Sequence, residues 1–437
     1  MTTNNNNAPT PFGVNAGLLP TMVVFCHLRW DFVYQRPQHL LSRLAKFYRV
    51  LVVEEPIFHE GESFLKTYSP SANITVMQPH TPVHAPGFHD DQFEAIGSLL
   101  ADVLPRNEKP VVWFYTPMAL PLLKLIEPSL VVYDCMDELS AFKNAPAQLL
   151  QRERDLLDAA DIVFTGGPSL YQAKRERHAN VHCFSSSVDI AHFSKALDRS
   201  QAHPSQHSLA QPRLGYYGVI DERFDTELLR AIADARPDWQ IVMVGPVVKI
   251  DPASLPRNPN IHYMGQATYD ELPAYLAAWQ VCLMPFALNE STKFISPTKV
   301  LEYMAAELPI VSTDITDVTQ PYGHIVSIAH SPQEFVDACD QALALSADGR
   351  ERMIEAMRSV VKATSWDTTA QQMFELMAAN QAGRKAAQTA AGIDKATGTR
   401  IIPARTPASA TPLKTPTMAM DAIMAKRADI ASTTTGE

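Results

Sequence analysis

The 437-residue chain has few cysteines, no excess of positive charge and no long apolar run. Its five cysteines have no close pairs and stand mostly in apolar segments, so we expect buried thiols in a reducing compartment. The net charge of −10 argues against non-specific binding to nucleic acid. No segment approaches the ~20 apolar residues of a membrane span, and the Asn-rich N-terminus lacks the pattern of a signal peptide. We therefore expect a cytoplasmic protein.

The composition is that of a folded protein with two or three domains. Hydrophobic residues make up 46% and charged residues 19%, and the length allows large cores. The two ends differ from this body, and we predict that residues 1–19 and 384–437 are disordered tails. The second tail carries eight basic and four acidic residues. This +4 balance is compatible with peripheral contact to an anionic membrane, although the scattered charges favour a merely solubilising tail.

Short apolar, β-branched runs recur along the chain with helical patterns between them. Several are apolar throughout, which is typical of parallel strands buried on both faces. Strands are predicted at 22–26, 50–54, 74–78, 111–115, 131–134, 162–165 and 181–184, and then at 214–218, 241–245, 261–265, 281–286, 310–313 and 325–329. The intervening helices include 38–47 and 147–160.

The strand pattern divides the chain into two α/β units, each a doubly wound parallel sheet. We predict domains at 20–197 and 213–345, joined by a polar linker at 198–212. One helix at 346–379, with Trp366 as its packing anchor, is expected within a closing segment at 346–383. Because ligands of open α/β sheets bind at the carboxyl ends of the strands, functional residues are expected there, facing a cleft.

The segment 295–306 carries the strongest chemical signal. Ser296 is a good N-cap and Pro297 a good first helical residue, so a helix is predicted to begin at Pro297. Its free N–H groups, together with Thr298 and Lys299, would attract phosphate, because a cation in a first helical turn is otherwise unfavourable. Glu302 could accept hydrogen bonds from the two hydroxyls of a ribose. The alternative is a plain ion pair between Lys299 and Glu302 within the helix.

Other strand ends of the second domain supply weaker candidates for the same ligand. Gly218 follows a strand and would let a ligand approach the backbone, while Arg223 and Lys249 could reach a diphosphate. Asn289 lies in a polar loop that leads into Ser296. Since no complete G-x-G-x-x-G is present, an ordinary turn and a solvated lysine remain alternatives.

The first domain carries a loop rich in aromatic and hydrogen-bonding groups after its first strand. Such mixtures bind sugars, and the predicted acceptor contacts are His27, Trp30, Gln35, Arg36 and Asp137. Two carboxylates at this edge, Asp31 and Asp134, are candidate catalytic residues. No cluster has the spacing of metal ligands, so no metal site is predicted.

Three segments carry a resemblance to a known family: 30–40 (WDFVYQRPQHL), 132–137 (VYDCMD) and 296–303 (SPTKVLEY). They resemble bacterial GT-B glycosyltransferases of family 4 (group 1), particularly a branch from polysaccharide and teichuronic acid clusters. The resemblance covers about residues 21–379 and also fits 187–189 and Trp366. It implies two Rossmann-like domains facing across a cleft.

The resemblance also implies a reaction. A sugar would pass from a nucleotide-sugar co-substrate, most often a UDP-sugar, to a glycan or lipid-linked acceptor, with no cofactor and no bound metal. It implies that Glu302 binds the ribose, that Arg223 and Lys249 bind the diphosphate and that Asp134 lies near the reacting sugar. A retaining reaction needs no protein base, whereas an inverting one would need Asp31 or Asp134.

Two positions depart from the family pattern. Family members often carry a glutamate eight residues before the ribose-binding one, where this chain has Phe294, and a common glycine is replaced by Glu307. The missing glutamate leaves open a non-catalytic, nucleotide-sugar-binding partner in a polysaccharide assembly complex. A nucleotide-sugar epimerase or a phosphorylase of the same fold are further alternatives.

Overall fold

A computed structural model describes residues 19–397 and, within them, the side chains up to residue 386. The described chain forms two largely parallel sheets, one of nine strands and one of six. In the first strand, Val23 and Phe25 belong to the apolar cluster on one face of the sheet, and Met22 and Val24 to the cluster on the other. This burial on both faces explains why the strand is apolar throughout.

The first sheet contains the seven strands predicted for this half and two more. Its strands are β1 (Thr21–Cys26), β2 (Arg49–Glu54), β3 (Ile57–Phe58), β4 (Phe64–Ser71), β5 (Ile74–Thr81), β6 (Val111–Phe114), β7 (Leu130–Cys135), β8 (Ile162–Thr165) and β9 (Val181–Cys183). Their order is β3-β5-β2-β1-β6-β7-β8-β9, and β4 pairs antiparallel with β5. Of the two unpredicted strands, β3 has only two residues and β4 is mostly exposed, so neither carries the buried apolar pattern.

The helices around this sheet are α1 (Arg36–Leu44), α2 (Phe93–Leu100), α3 (Leu149–Ala159) and α4 (Pro168–Lys174). A further short helix, α5 (Ile190–Phe193), follows β9, and its Phe193 packs in the apolar core of the second domain. The first helix starts two residues earlier than predicted because Pro37 fits its first turn and the Gln38 side chain accepts the N–H of Gln35. The loop after β1 therefore ends at Gln35, which brings Arg36 onto a rigid element.

The second sheet contains the six strands predicted for it, all parallel. They are β10 (Arg213–Tyr217), β11 (Gln240–Val244), β12 (Ile261–Gly265), β13 (Val281–Met284), β14 (Ile310–Thr313) and β15 (Ser327–Ala329), in the order β12-β11-β10-β13-β14-β15. Its helices are α6 (Thr226–Ala235), α7 (Leu272–Leu276), α8 (Lys299–Ala305), α9 (Thr316–Tyr322) and α10 (Pro332–Leu343). The strand order reverses between β10 and β13, which opens a crevice at their carboxyl ends.

The closing segment differs from its prediction. Instead of one helix at 346–379 there are two, α11 (Ala347–Lys362) and α12 (Trp366–Thr397), because the chain turns at 363–365 and the Ser365 hydroxyl accepts the N–H of Asp367 at 3.2 Å. The predicted anchoring role of Trp366 is confirmed. Its side chain is buried in the first domain's core and stacks on His39 with 4.7 Å between ring centroids. The second helix thus returns the chain to the first domain.

The disorder predicted from residue 384 is wrong for residues 384–397, which continue α12. Alanine is frequent in this stretch and has the highest helix propensity. The rest of the predicted tails, residues 1–18 and 398–437, lies outside the described residues. Within residues 19–397, none of the helices combines the length and apolar composition that a membrane-spanning segment requires.

Candidate active site

The carboxyl ends of the two sheets face each other across a cavity of about 690 Å³. The first domain lines it with the loop after β1 and with residues just after β7, and the second with the ends of β10 and β11 and the segment around the start of α8. The predicted site residues that the cavity brings together are Trp30, Asp31, Gln35, Arg36, Asp137, Gly218, Arg223, Ser296, Thr298, Lys299 and Glu302. Trp30 and Glu302, which are 272 positions apart in sequence, thus share one cleft.

Lys299 is the first residue of α8, and its side chain lies over Gly218. A Cβ atom at Gly218 would stand 2.3 Å from its Cε and 2.7 Å from its Nζ, so only glycine leaves room for this lysine. Burial lowers the pKa of Lys299 to about 8, and the nearby Glu302 opposes that shift. Within residues 19–397, no carboxylate lies within 4.0 Å of its ammonium. The predicted alternative, an ion pair with Glu302, is therefore not formed, and the cation faces the cavity without a counter-charge in contact.

Glu302 is buried beside the cavity and is held by a tyrosine. The Tyr217 hydroxyl donates a hydrogen bond to its Oε2, and the Tyr217 N–H in turn donates to the Tyr303 hydroxyl at 3.3 Å. Burial raises the pKa of Glu302, which the Tyr217 hydrogen bond and Lys299 oppose. The carboxylate is thus fixed in orientation while it lines the cavity. Tyr217 was not predicted, because nothing in its sequence position reveals a partner 85 residues away.

The predicted helix start at Pro297 is wrong, since α8 begins at Lys299 with Thr298 in the cap position and no side-chain cap. Ser296 instead belongs to the contact between the domains. Its carbonyl accepts the Ser186 hydroxyl at 3.4 Å, and its Cβ lies 2.7 Å from where a Cβ at Gly167 would stand. The segment before α8 is therefore shaped by the first domain, and Ser296 does not cap the helix.

Arg223 lines the cavity in a fixed orientation. Its Nε donates to Asp221 Oδ1 at 3.0 Å and its Nη2 to Oδ2 at 2.7 Å. Although burial opposes the charge, the Asp221 carboxylate raises the pKa of Arg223. Asp137 faces it from the first domain; burial raises the pKa of Asp137 to about 6, and Arg223 opposes that shift. A cation and a carboxyl group from different domains therefore meet at this end of the cavity.

Besides Asp134, which is described below, three predicted residues lie outside the cavity lining. Lys249 has a left-handed backbone with φ of 61°, and its ammonium lies 5.2 Å from the ring centroid of Phe142 in the first domain. Asn289 stabilises its own loop, because its side chain donates to the Glu222 carbonyl and accepts the Ser291 N–H at 2.9 Å. Burial, with a smaller effect of Lys249, lowers the pKa of His27 to about 4, so His27 is neutral near pH 7.

Asp134 was predicted as a catalytic residue, but its side chain is fully buried and does not line the cavity. Arg36 Nε donates to its Oδ2 at 3.0 Å, and Arg36 Nη2 donates to its Oδ1 at 2.8 Å. Both carboxylate oxygens therefore accept hydrogen bonds from Arg36, and neither faces the cavity. Arg36 is itself buried and donates further to the Phe184 carbonyl at 2.7 Å. Asp134 is therefore not placed for a catalytic role. The sequence does not reveal its pairing with Arg36, because the two residues are 98 positions apart.

The loop after β1 contacts the second domain at the mouth of the cavity. The Gln266 side chain donates to the Phe32 carbonyl at 2.8 Å, and the Tyr34 and Tyr269 rings are 4.6 Å apart. Asp31 on the same loop is exposed and lines the cavity. Gln266 and Tyr269 were missed by sequence reasoning because they lie on the other domain. The contacts connect the predicted acceptor loop directly to the second domain.

Phe294 also makes a contact between the domains. It stands at the position where family members often carry a glutamate. It is half-buried and packs against an apolar cluster of the first domain.

No group of three or more histidine, cysteine or carboxylate side chains that could hold a metal ion occurs within residues 19–397.

Comparison with known proteins supports the resemblance seen in the sequence. Residues 211–344, which carry the second sheet, match the family of glycosyl transferases group 1. The chain is therefore a glycosyltransferase whose second domain is similar to this group. This glycosyltransferase is 25% identical over 309 residues to the Bacillus subtilis protein TuaH, whose name assigns it to teichuronic acid biosynthesis; the match covers 64% of the chain and 75% of that protein. The predicted resemblance to group 1 glycosyltransferases and the prediction of an enzyme are confirmed.

Solved structures share the arrangement of the two domains. Sucrose-phosphate synthase from Thermosynechococcus elongatus has a TM-score of 0.64 at 16% identity, covering 82% of this glycosyltransferase and 98% of that chain. Anabaena HepE, in complex with UDP and glucose, has a TM-score of 0.61 at 13% identity, covering 82% and 99%. At these identities the likeness concerns the fold, and the predicted GT-B class is confirmed.

Proposed function

We propose that this glycosyltransferase moves a sugar from a nucleoside-diphosphate sugar, a UDP-sugar, to a glycan or lipid-linked saccharide during assembly of a cell-surface polysaccharide. The observation that carries the proposal is the unpaired Lys299 ammonium over Gly218, next to the fixed Glu302 carboxylate, on one wall of the cavity. A buried cation and an adjacent carboxylate match the two polar parts of a nucleoside diphosphate, its phosphates and its ribose. The UDP in the HepE complex and the name of TuaH support the choice of base and pathway.

In the proposed reaction, the leaving diphosphate gains about one negative charge as the glycosidic bond breaks. Lys299 and Arg223 both line the cavity near its expected position, and Arg223 is held by Asp221, so the two cations would stabilise the developing charge. The sugar would then lie towards the first domain, near the loop that carries Trp30 and Asp31. No cofactor enters this proposal, because the nucleotide sugar is a co-substrate.

The acceptor hydroxyl must lose a proton during transfer. In a retaining reaction the leaving phosphate takes it, and in an inverting reaction a carboxylate of the cavity is required. Asp31 remains a candidate for this base because it lines the cavity. The buried Asp134 does not line it. We propose that the enzyme works in the cytoplasm, with peripheral membrane contact where the acceptor is lipid-linked.

A donor panel tests the proposed function. The enzyme is incubated with UDP-glucose, UDP-galactose, UDP-N-acetylglucosamine and GDP-mannose, and release of UDP or GDP is measured with and without a membrane extract as a source of acceptors. We expect one donor to be turned over, faster with the extract. Absence of both turnover and nucleotide binding, in protein that unfolds cooperatively, would contradict the proposal.

Replacing Glu302 by glutamine is expected to weaken UDP binding about tenfold, because two charge-assisted hydrogen bonds to the ribose become neutral ones. Inorganic pyrophosphate has no ribose, so its affinity should stay unchanged. Isothermal titration measures both. The matched control is Glu290→Gln, an exposed glutamate whose side chain is 84% accessible. An equal loss for UDP and pyrophosphate would exclude the ribose contact.

Replacing Gly218 by alanine is expected to weaken UDP binding about 100-fold, because the new methyl group displaces the Lys299 side chain from the site. Gly265→Ala is the control: its φ of +77° is also positive, but no atom lies within 4 Å of its Cβ position. Both variants should lose about 1–2 kcal/mol of stability from the positive φ. Equal UDP affinities in the two variants would contradict the importance of the Lys299 position.

A further inference from the structure

Phe142 of the first domain contacts two cations of the second domain. It lies in the loop between β7 and α3, and its ring centroid is 5.3 Å from Cζ of Arg223 and 5.2 Å from Nζ of Lys249. Both distances are within the range of cation–π attraction. The ring is half-buried but does not line the cavity. Phe142 therefore touches both charges without occupying the space of a ligand.

The two cations stand on loops that are hydrogen-bonded to each other. The Ile220 N–H donates to the Pro246 carbonyl at 2.9 Å, and the Val248 N–H donates to the Ile220 carbonyl at 3.1 Å. The backbone thus brings the loop of Arg223 and the loop of Lys249 side by side. The side chains differ, however, because Arg223 is fixed by Asp221 and Lys249 forms no ion pair within 4.0 Å among the described residues. The Phe142 ring is therefore in a position to restrain the Lys249 ammonium.

A carboxyl group of the first domain interacts electrostatically with the same ammonium. Glu55 follows β2, its side chain has no hydrogen-bond partner among the described residues, and its charge interacts with that of Lys249. Burial raises the pKa of Glu55 to about 7, and Arg29 and Lys249 oppose that shift. We expect that without the Phe142 ring Lys249 turns towards Glu55 and away from Arg223.

We propose that Phe142 is a positioning residue that holds Lys249 beside Arg223, so that both charges act on the diphosphate of the donor. The inference rests on the proposed function, since it assumes a diphosphate at this end of the cavity. The face of an aromatic ring attracts a cation while leaving the N–H groups on the far side free for phosphate oxygens. The acceptor domain thereby completes the donor site of the other domain.

Isothermal titration of the full-length enzyme with UDP, and with uridine as a ligand without phosphate, tests the proposal. Phe142→Leu keeps an apolar side chain without the aromatic face, and we expect it to weaken UDP binding about fivefold while uridine binding is unchanged. Phe142→Trp keeps the aromatic face and should recover most of the UDP affinity. Lys143→Met, an exposed neighbour on the same loop, is the control for general effects on the loop.

A double-mutant cycle with Lys249→Met separates positioning from a structural role. If Phe142 acts through Lys249, Phe142→Leu should cause at most half of its effect when Lys249 is already methionine. A Phe142→Leu protein that binds UDP as tightly as the wild type would overturn the inference alone. So would an equal loss for UDP and uridine, or full additivity with Lys249→Met. A wild-type protein that binds neither UDP nor GDP would instead overturn the proposed function on which the inference rests.

Discussion

Replacing Lys299 by methionine is expected to weaken UDP binding about 100-fold and to lower donor turnover at least as much, because fixed cations stabilise the leaving diphosphate. A factor of 100 corresponds to about 2.7 kcal/mol, which is reasonable for charge-assisted hydrogen bonds in a buried site. Methionine has a similar length and apolar stem, so packing over Gly218 is kept. Isothermal titration gives the affinity, and release of UDP from the donor gives the turnover.

The matched control is Lys293→Met, which removes a lysine from the loop leading into α8. Its side chain is 59% accessible and its ammonium is 4.0 Å from Glu290, so it should leave UDP affinity within about twofold. If both variants lose affinity equally, the effect is a general one of charge. If Lys299→Met binds UDP like the wild type, the donor site does not lie where we infer it.

The same lysine predicts how affinity depends on pH. Its pKa is lowered to about 8, so the empty enzyme loses this proton as the pH rises through 8. A bound diphosphate favours the charged form, and binding must therefore take up a proton in that range. UDP affinity should be nearly constant between pH 7 and 7.5 and fall by up to about tenfold per unit above pH 8. Lys299→Met should show no such fall, and a flat wild-type profile up to pH 9.5 would contradict the assignment.

Replacing Asp134 by alanine is expected to lower the free energy of unfolding by about 3–5 kcal/mol, because it leaves the buried Arg36 guanidinium without its partner. Urea denaturation at pH 7 measures this loss. Asp31→Ala is the control, since that carboxylate is exposed and its removal should change stability by less than about 0.5 kcal/mol.

The Asp134 experiment also distinguishes a structural carboxylate from a catalytic one. The structure predicts that Asp134→Ala is unstable, and that whatever activity it loses follows from misplacement of Arg36 at the cavity wall. An Asp134→Ala protein with wild-type stability and no donor turnover would support the catalytic role expected from the sequence and would contradict the structural one.

Most of the fold could be predicted because its strands are buried on both faces and therefore apolar throughout. The two strands that were missed, β3 and β4, are short or exposed and carry no such pattern. Trp366 could be predicted as an anchor from its size and setting. Its position in the first domain's core could not, because that depends on a chain reversal after α11.

The site was predictable where its geometry is local. Gly218 follows its strand directly, and Lys299 and Glu302 share one helix, so their proximity follows from the order of elements. The helix start was misjudged because Ser296 contacts the first domain. Tyr217, Phe142 and the partner of Asp134 depend on contacts between distant parts of the chain. Such contacts leave no mark on local composition or spacing.

Hydrogen exchange with and without UDP is the measurement that tests the central claim most directly. The account predicts slower exchange at the end of β10, in the loop after β11 and at the start of α8, with residues 136–145 of the first domain protected as the cleft closes. Lys299→Met should lose this protection at the same UDP concentration. Protection confined to other surfaces, or none at saturating UDP and GDP, would contradict a nucleotide-sugar site in this cleft.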